Sequence, residues 1–267
     1  MNKLPRYTIL LMMSVVMIVP MIPLLGWAFS TGWKFPNMLP ANFTMETFLS
    51  IFKSNVYVEA LVNSVILSTL VMLISLLIGF HVAKALGVRE FRGRRFLEIF
   101  ILLPALTPAI ALVFGMRNFF IDIGMFKSYW SLVLAQVTFT IPYMVMLLTP
   151  VFRNYDTDYE KQSATLGVGK LNTALHVTMP AIKPGLVVAC MYTFIVSWSI
   201  YLFTYYLMPP SFKTMTTLLM PMISVNWTDG TVLAAMTLLF ILPAFIVFAI
   251  SSRMLGKNGD SGQRPGP

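Results

Sequence analysis

Cysteine is almost absent from this sequence. Cys190 is the only cysteine in 267 residues, which excludes an internal disulfide, and no Cys-X-X-Cys pair or Cys/His cluster indicates a metal or redox site. The two histidines, His81 and His176, are far apart in the sequence. The sequence therefore predicts no metal ion and no cofactor.

Charged residues are scarce. They make up 11% of the chain, whereas hydrophobic residues make up 57%; soluble domains are about half apolar and about a quarter charged. The composition predicts an integral membrane protein. The net charge of +9 does not indicate nucleic-acid binding, because most basic residues lie between long apolar runs, where they orient the chain in the bilayer.

Motifs for catalysis and energy coupling are missing as well. The chain has no GxxxxGKS/T loop for ATP phosphates, no HExxH and no GxSxG. No charged residue falls in the middle of a long apolar run, whereas proton- or sodium-coupled carriers commonly bury an Asp, Glu or His there. These absences disfavour an enzyme and a secondary carrier. They do not exclude a carrier whose ion sites are built from backbone carbonyls.

Six apolar runs are long enough to cross a hydrocarbon core of about 30 Å, which takes roughly 20 helical residues. They cover residues 7–30, 60–85, 97–119, 130–150, 185–206 and 231–252. We therefore predict an all-α membrane protein with six transmembrane helices. Pro104 and Pro108, on either side of Thr107, predict a bend in the third helix, because proline removes a hydrogen bond from the helical ladder.

Basic residues are unequally divided between the two sides that six spans would create. Of the 19 Lys and Arg residues, five lie in the first, third and fifth loops or at the end of a run next to them, and the other 14 lie in the terminal segments, in the second and fourth loops or at the end of a run next to these. The five are Lys34, Lys53, Arg117, Lys127 and Lys213. The positive-inside rule therefore predicts a multi-pass membrane protein with both termini in the cytoplasm.

Three regions follow from this division. Residues 1–55 contain the first span, predicted as a retained anchor because its apolar core is longer than that of a signal peptide, and an outer interfacial helix. In that helix Met45, Phe48, Ile51 and Phe52 share one face. Residues 56–252 are predicted to form the transmembrane core. Residues 253–267 are rich in Gly and polar residues and are predicted to be a disordered cytoplasmic tail.

The longest polar interval is EKQSATLGVGKLNTALHVTMPAIKPG, residues 160–185. Thr157 and Glu160 have the spacing of a capping box, which predicts a helix over residues 159–166 that ends at Gly167. A second helix is predicted over residues 171–179 and is ended by Pro180. From the residues alone, docking of this bent pair against a partner protein and its lying on lipid headgroups are both open.

The same interval resembles the cytoplasmic EAA loop of the permease subunits of binding-protein-dependent ABC importers. That pattern has an acidic residue, two small residues and a glycine, followed by an apolar-X-Leu-Pro ending and a Pro-Gly pair. The positions that match are Gly167, Val177, Pro180, Pro184 and Gly185. The departures are Lys161 where the acidic residue is commonest, Gln162 and Ser163 at the two alanines, and Met179 at the leucine. The resemblance covers about residues 56–252.

The resemblance implies a type I ABC importer permease fold in which the loop, residues 156–184, carries a coupling helix. The implied partners are two ABC ATPase subunits, a second permease subunit and an extracytoplasmic solute-binding protein, with ATP hydrolysed by the separate ATPase. The residues implied to contact the ATPase are Glu160, Lys161, Gln162, Ser163, Ala164, Thr165, Leu166, Gly167 and Pro180. The alternative is a stand-alone carrier or channel whose helix pair rests on the membrane.

Polar and aromatic residues within the apolar runs are the candidates for a translocation path. They are Asn63, Gln136, Thr138, Trp198 and Tyr201. The alternative for each is hydrogen bonding or packing between helices. FRGRR at residues 91–95 and SWSIYLFTYYL at residues 197–207 resemble the polyamine, ferric iron, thiamine and phosphonate branch of the family. The fifth run lacks the acidic residues that polyamine permeases often carry, which counts against a polyamine.

Overall fold

The computed structural model describes residues 12–16, 18–19, 21–31, 42–225 and 230–259, and most of these residues are helical. The helices are α1 (Met21–Ala28), α2 (Glu46–Lys53), α3 (Asn55–Val88), α4 (Arg94–Leu106), α5 (Ala109–Asp122), α6 (Tyr129–Arg153), α7 (Asp158–Thr165), α8 (Lys170–Thr173), α9 (Met179–Ser199), α10 (Leu202–Leu207), α11 (Met215–Val225) and α12 (Gly230–Gly259). A π-helical segment, Ala174–Thr178, joins α8 to α9, and the strands are β1 (Ser30–Thr31) and β2 (Asn42–Phe43).

Within these ranges, four helices are long and apolar enough to cross a bilayer. They are Asn55–Val88, Tyr129–Arg153, the continuous helix Lys170–Ser199, and Gly230–Ile250 within α12. The pair α4 and α5 also qualifies if it is taken as one bent span. The described part of the first predicted span is the shorter apolar helix Met12–Ala28, and residues 7–11 lie outside the described residues. The structure is thus a multi-pass helical membrane protein, and six spans remain a prediction.

Two predicted helix ends differ from the structure. The fifth predicted span ran to residue 206, but α9 ends at Ser199 because Ile200 takes an extended conformation with ψ 114°. The predicted disordered tail is wrong for residues 253–259, which continue α12. Good helix formers such as Arg253, Met254 and Leu255 follow the apolar run without an intervening proline. Residues 260–267 lie outside the described residues.

The predicted bend in the third span is confirmed. Helices α4 and α5 meet at an angle of 97°. Pro108 causes the break, since the residue before a proline is pushed into an extended conformation, and Thr107 has φ −79° and ψ 135°. At this end of α4 the Leu103 carbonyl accepts both the Thr107 N–H, at 3.0 Å, and the Thr107 hydroxyl, at 2.8 Å. Pro104 lies inside α4 without ending it.

The chain divides into two compact units. One contains the described residues up to 63 and residues 213–243, and the other contains residues 64–212 and the described residues from 244 onward. This division by packing differs from the predicted boundary between residues 55 and 56, because the helix that begins at Asn55 runs unbroken to Val88. The three predicted regions therefore remain a division by sequence alone.

Helix α2, at the place of the predicted interfacial helix, packs in the first unit through Thr47 and Ile51. The buried Thr47 hydroxyl donates to the Ser30 carbonyl at 2.8 Å, next to the antiparallel pairing of β1 with β2. This hydrogen bond turns Thr47 and Ile51 inward, while Met45 and Phe52 are 63% and 53% exposed. Exposure of Met45 and Phe52 is compatible with contact between this helix and the membrane interface, which stays a prediction.

Helix α6 is the most buried of the long helices, with 56% of its most apolar stretch buried, compared with 17% for Lys170–Ser199. Glycines bring other helices of the second unit close to it. A Cβ atom at Gly79 would lie 2.6 Å from Cγ of Met144, and one at Gly185 would overlap Val151. Because lipid is as apolar as leucine, such close approach of small residues is what holds membrane helices together.

Replacing Gly87 with alanine is expected to destabilise the second unit. The added methyl group would lie 2.6 Å from Cβ of Phe152 and 2.9 Å from the Thr149 carbonyl oxygen, and neither atom is the far end of a flexible side chain. We expect a loss of about 1–3 kcal/mol, the usual cost of overpacking. The measurement is the unfolding temperature of the purified protein in detergent.

The matched control for this change is Gly115→Ala in α5. No other atom lies within 4 Å of the Cβ position at Gly115. The control should leave the unfolding temperature unchanged or raise it slightly, because alanine favours a helix over glycine. Equal losses in the two variants would show that the approach of Gly87 to α6 is not the cause.

Candidate functional site

Helix α7 begins the polar loop that follows α6. The backbone N–H of Asp158 donates to the Asp156 carboxylate at 2.9 Å, so Asp156 satisfies a free amide at the helix start. The predicted capping box is wrong, because the Thr157 side chain makes no capping hydrogen bond and the Glu160 carboxylate binds other partners. The helix covers Asp158–Thr165, one residue earlier than predicted.

The carboxylate of Glu160 joins three parts of the fold. The ammonium of Lys84, near the end of α3, donates to its two oxygens at 2.8 and 3.0 Å. The hydroxyl of Thr178, in the π-helical segment, donates to Oε1 at 2.7 Å, and the Tyr155 hydroxyl donates to Oγ1 of Thr178 at 3.4 Å. We call Lys84, Tyr155, Glu160 and Thr178 the Glu160 cluster. Charge-assisted bonds are stronger than a neutral cap, which explains why Glu160 turns away from its own helix start.

The Glu160 cluster is partly shielded from solvent. The side chains of Lys84 and Glu160 are 34% and 27% exposed. Burial by itself would raise the pKa of Glu160, but the hydrogen bonds from Lys84 and Thr178, together with the ammonium charge, lower the pKa below its ordinary value of 4.5. Glu160 is therefore an anion at neutral pH, and the ion pair to Lys84 is formed.

Gly167 ends α7 as predicted. It has φ +75°, a left-handed conformation that glycine adopts without steric cost. The N–H of Gly167 donates to the Ala164 carbonyl at 3.1 Å, and the N–H of Val168 donates to the Ser163 carbonyl at 3.0 Å. This pair of hydrogen bonds is a Schellman motif, which satisfies the last carbonyls of the helix and reverses the chain direction.

The second predicted helix does not end at Pro180. Helix α8 starts at Lys170, and the chain continues through the π-helical segment and α9 to Ser199. The N–H of Met179 donates to the Ala174 carbonyl, five residues back, so the turn before Pro180 is wider than an α-helical turn. The wider turn accommodates the ring, which in an α-helix clashes with the carbonyl four residues back.

The outer surface of the loop is exposed and partly apolar. Leu166 and Leu171 are 81% and 73% exposed, and Tyr159 and Leu175 are also exposed. Lys161 pairs with Asp158 at 2.6 Å, and both side chains are largely in solvent. Of the predicted ATPase contacts, the exposed ones are Lys161, Gln162, Ala164, Thr165, Leu166, Gly167 and Pro180, whereas Ser163 is buried and Glu160 is intermediate.

A cavity of about 710 Å³ lies beside the Glu160 cluster, between the end of α3 and the loop. Glu160 is the one acidic residue among its lining residues, which include Lys161, Arg89 and Lys170. Among the described residues, Arg89 and Lys170 form no ion pair. The lining of this cavity therefore carries more basic than acidic side chains.

The predicted path residues do not form one site. Asn63 belongs to the first unit, where its side-chain amide donates to the Lys213 carbonyl at 3.0 Å. Thr138 donates to the Leu134 carbonyl of its own helix at 2.9 Å. Tyr201 lies in the break between α9 and α10, with its ring 5.1 Å from that of Tyr205.

Gln136 and Trp198 are both buried in the second unit. The Ser197 hydroxyl donates to Oε1 of Gln136 at 2.6 Å, and Trp198, 5% exposed, follows it. Nε2 of Gln136 and the hydroxyl of Thr193 are buried without a hydrogen-bond partner in the described part of the chain. Sequence reasoning missed Ser197 and Thr193, although both lie in the same apolar run as Trp198.

A family match connects these features to a known class of protein. The family described as binding-protein-dependent transport system inner membrane component matches residues 75–257, which include the whole Glu160 cluster. This chain belongs to that family. It is therefore a transport component of the inner membrane and not an enzyme, as the sequence predicted.

Known relatives of this inner membrane component are permeases. It is 30% identical over 185 residues to the trehalose transport system permease protein SugB of Mycobacterium tuberculosis, covering 67% of each chain. It is 26% identical over 224 residues to the inner membrane ABC transporter permease protein YcjP of Escherichia coli, covering 82% of this chain and 80% of YcjP. The spermidine/putrescine transport system permease protein PotC of Haemophilus influenzae is 21% identical over 169 residues, 63% of each chain. The predicted branch is not confirmed.

Solved structures show that the inner membrane component has the fold of ABC importer permeases. A crystal structure of a bacterial ABC transporter involved in the import of the acidic polysaccharide alginate matches with a TM-score of 0.76 at 18% identity, over 94% of this chain and 95% of that chain. The MetNI methionine ABC transporter in an inward-facing conformation matches with a TM-score of 0.61 at 14% identity, over 76% of this chain and 95% of that chain.

The sequence did not predict which residues bind the Glu160 carboxylate. Lys84 entered the sequence reasoning only as a basic residue that orients the chain, and it is 76 residues from Glu160. Thr178 and Tyr155 carried no signal beyond their position near the loop. A lysine in the last turns of an apolar run, near a polar loop that holds an unpaired carboxylate, is the pattern that could have indicated the pair.

The ion pair in the Glu160 cluster is expected to stabilise the loop. Glu160→Gln and Lys84→Met should each lower the free energy of unfolding, and a double-mutant cycle should give a coupling energy of about 1 kcal/mol, since both groups are partly screened by water. Amide hydrogen exchange in α7 should become faster in each variant. The measurements are detergent-induced unfolding and exchange by mass spectrometry.

The solvent-exposed pair in the same helix is the matched control. Lys161→Met removes the partner of Asp158, whose side chain is 63% exposed, and should change neither stability nor exchange. A coupling energy of zero between Lys84 and Glu160, or equal effects of Lys161→Met, would contradict the structural role of the cluster.

The pH dependence follows from the lowered pKa of Glu160. A carboxyl whose pKa is lower in the folded state contributes stability above its unfolded pKa, and this contribution is lost as the pH falls through the folded value. The difference in stability between the wild type and Glu160→Gln should therefore be constant from about pH 8 to about pH 6 and vanish only below about pH 4. A difference that changes between pH 8 and pH 6 would contradict this assignment.

Proposed function

We propose that this chain is one permease subunit of an ATP-driven importer, paired with a second permease subunit to enclose a path for a small solute. An extracytoplasmic binding protein delivers the solute, and two ABC ATPase subunits bind on the cytoplasmic side. The family match supports this division of roles, and the absence of a phosphate-binding loop from the sequence fits ATP hydrolysis in a separate chain.

In this proposal the chain crosses the membrane six times. The apolar segment over residues 7–30 and the bent pair α4 and α5 each count as one span, together with the four long helices. Both termini and the loop at residues 156–184 lie in the cytoplasm, which the excess of basic residues on that side supports. The alternative of a stand-alone carrier or channel is not favoured, because the family works with a binding protein.

The observation that carries the coupling role is the attachment of α7. The Glu160 cluster ties α7 to the end of α3 and to the base of the helix Lys170–Ser199, while Leu166 at the tip of α7 is 81% exposed. A helix that is rigidly attached to two spans and exposes an apolar tip is suited to transmit a displacement. We infer that α7 is the coupling helix and that closure of the ATPases on ATP moves the spans through it.

The structure favours a change in the role of Glu160. Its carboxylate is already bound by Lys84 and Thr178, so we assign it to positioning α7. The contact with the ATPase is assigned instead to the exposed residues Lys161, Gln162, Ala164, Thr165 and Leu166. The receiving surface should be apolar opposite Leu166 and acidic opposite Arg89 and Lys170, which lack ion-pair partners among the described residues.

For the translocation path we retain Asn63, Gln136, Thr138, Trp198 and Tyr201 as candidates and rank Gln136 first. Its amide nitrogen is buried without a hydrogen-bond partner in the described part of the chain. A buried, unsatisfied polar group is costly in a protein interior, and a solute hydroxyl could satisfy it when α6 and α9 separate. Thr138 and Asn63 already have backbone partners, which is compatible with a role in helix packing.

The solute is proposed to be a carbohydrate. The relative at 30% identity is a trehalose permease, whereas the polyamine permease PotC is 21% identical. No charged residue lies in the middle of an apolar run, which suits a neutral, hydroxyl-rich solute better than a polyamine. The polyamine, ferric iron, thiamine and phosphonate classes are the alternatives to be tested.

Replacement of Gly167 with arginine is expected to uncouple transport while leaving the protein in the membrane. An L-residue at φ +75° costs about 1–2 kcal/mol, and the long side chain would also obstruct the docked partner. No atom of this chain lies within 4 Å of the Cβ position, so the spans should still pack. Co-purification of an ABC ATPase from native membranes should fall by roughly tenfold or more, with solute uptake lost.

Two controls distinguish the effect of backbone strain at residue 167 from the effect of a bulky side chain in the loop. Gly167→Asn keeps a residue that tolerates the left-handed conformation and should retain the ATPase. Gly169→Arg adds the same side chain at φ −64°, where no backbone strain arises. Normal uptake and normal ATPase recovery in Gly167→Arg would rule out α7 as the coupling helix.

The solute class is tested by uptake in cells that contain all components of the importer. Labelled trehalose and maltodextrins should be taken up and should compete with each other, while spermidine, thiamine and phosphonates should not compete. Gln136→Leu should reduce the maximal uptake rate without reducing the recovery of the partner subunits. Competition by spermidine with no competition by sugars would contradict the carbohydrate proposal.

A further inference from the structure

A second cavity, of about 470 Å³, lies where the start of α4 meets the end of α6. It is lined by the arginines Arg94, Arg95 and Arg153 and by the glutamates Glu90 and Glu98. It shares no lining residue with the cavity beside the Glu160 cluster. We call it the arginine cavity.

Two of the three arginines are available to bind an anion. Arg94 lies between the two glutamates, with Nη1 2.5 Å from Glu90 and Nε 3.1 Å from Glu98. Arg95 and Arg153 are exposed and have no ion-pair partner among the described residues. Three arginines against two glutamates leave one uncompensated positive charge and two unoccupied guanidinium groups.

The start of α4 adds backbone donors to this charge. Gly93, with φ 91°, precedes Arg94, and no side chain caps the helix. Uncapped N–H groups at the start of a 13-residue helix carry partial positive charge and favour an anion. This feature strengthens the attraction of the two free arginines for negatively charged oxygen atoms.

The same helix exposes an extended apolar surface. None of the residues of α4 is buried, and Phe96 and Phe100 are 75% and 60% exposed with their rings stacked at 6.4 Å. Phe96 directly follows Arg95. In a bilayer, exposed phenylalanine rings on a span favour contact with lipid acyl chains.

We propose that the arginine cavity binds the phosphate of an anionic phospholipid. Arg95 and Arg153 hold the phosphate oxygens through paired N–H donors, the geometry in which arginine binds phosphate best. One acyl chain of the lipid lies along the exposed face of α4 that starts at Arg95 and includes Phe96, Ile99 and Phe100. Basic pockets between transmembrane helices are known as sites for acidic headgroups in general, and this one joins the required charge to an apolar surface on a single helix.

The apolar surface distinguishes a lipid from other anions. A free phosphate ion would bind the arginines but leave Phe96 and Phe100 uncovered. An acidic protein segment would match the charge but would also have to cover a helix that lies within the bent span α4 and α5. A phospholipid supplies the phosphate and the acyl chain together, so it satisfies both parts of the site.

Native mass spectrometry of the full chain with its co-purifying subunits tests the proposal. The purified protein is titrated with phosphatidylglycerol and, separately, with phosphatidylcholine. We expect phosphatidylglycerol to bind roughly tenfold more tightly. The double variant R95Q/R153Q should bind both lipids equally, and R95K/R153K, which keeps the charge but not the forked donors, should retain an intermediate preference.

The matched control is R92Q. Arg92 is an exposed residue of the same loop that does not line the arginine cavity, and its removal should change the preference by no more than about twofold. Unfolding temperature and recovery of the partner subunits verify that each variant is folded. R95K/R153K keeps the test informative if R95Q/R153Q does not fold.

Three results would overturn the proposal. The first is equal binding of the two lipids to the wild type, or a preference that R95Q/R153Q retains. The second is displacement of phosphatidylglycerol by inorganic phosphate at equal concentration, which would identify a site for free anions. The third is loss of a co-purifying protein from R95Q/R153Q with the lipid preference unchanged, which would identify a protein contact. None of them affects the coupling role of α7, which rests on other residues.

Discussion

The charged contact between Lys84 and Glu160 is the interaction on which the polar loop of this fold depends. An ammonium group in the last turns of a long apolar helix needs a counter-ion, and a carboxylate in a partly buried helix needs donors. The two requirements are met by each other, with Thr178 as a third partner. Because Lys84, Glu160 and Thr178 come from different helical segments, the hydrogen bonds among them fix the position of α7 relative to α3 and α9.

A contact of this kind transmits force only if the helices behind it are packed rigidly. The second unit provides this through α6, against which Gly79, Gly87 and Gly185 allow backbones to approach within contact of side-chain stems. A hydrogen bond between α3 and α6 also restricts how the two helices can rotate against each other, since the hydroxyls of Ser75 and Thr140 lie 2.8 Å apart. Close packing has few alternative arrangements, so in the proposed coupling role a movement of α7 would be passed to the spans and not be absorbed between them.

Much of this architecture could be predicted because the bilayer restricts it. The long apolar runs had to be helices of about 20 residues or more, and Pro108 and Gly167 impose local conformations that the sequence reveals. The partner of Glu160 could not be predicted, since Lys84 is 76 residues away and the choice between a cap and an ion pair depends on tertiary distance. Pro180 was misjudged for a similar reason, because a π-helical turn, which has no clear sequence signal, admits the ring.

The unbroken helix from Lys170 to Ser199 has a mechanical consequence. Its 30 residues correspond to a rod about 45 Å long, whose lower end bears the contact to Glu160 and whose upper part holds Ser197 against Gln136. A rod pivoting near its base by about 5° carries its far end through about 4 Å, given that length. Such a displacement is comparable to the width of a sugar hydroxyl with its hydrogen bond. Under the proposed coupling role, a small movement at the Lys170 end would therefore be enough to open or close a gap at the Ser199 end.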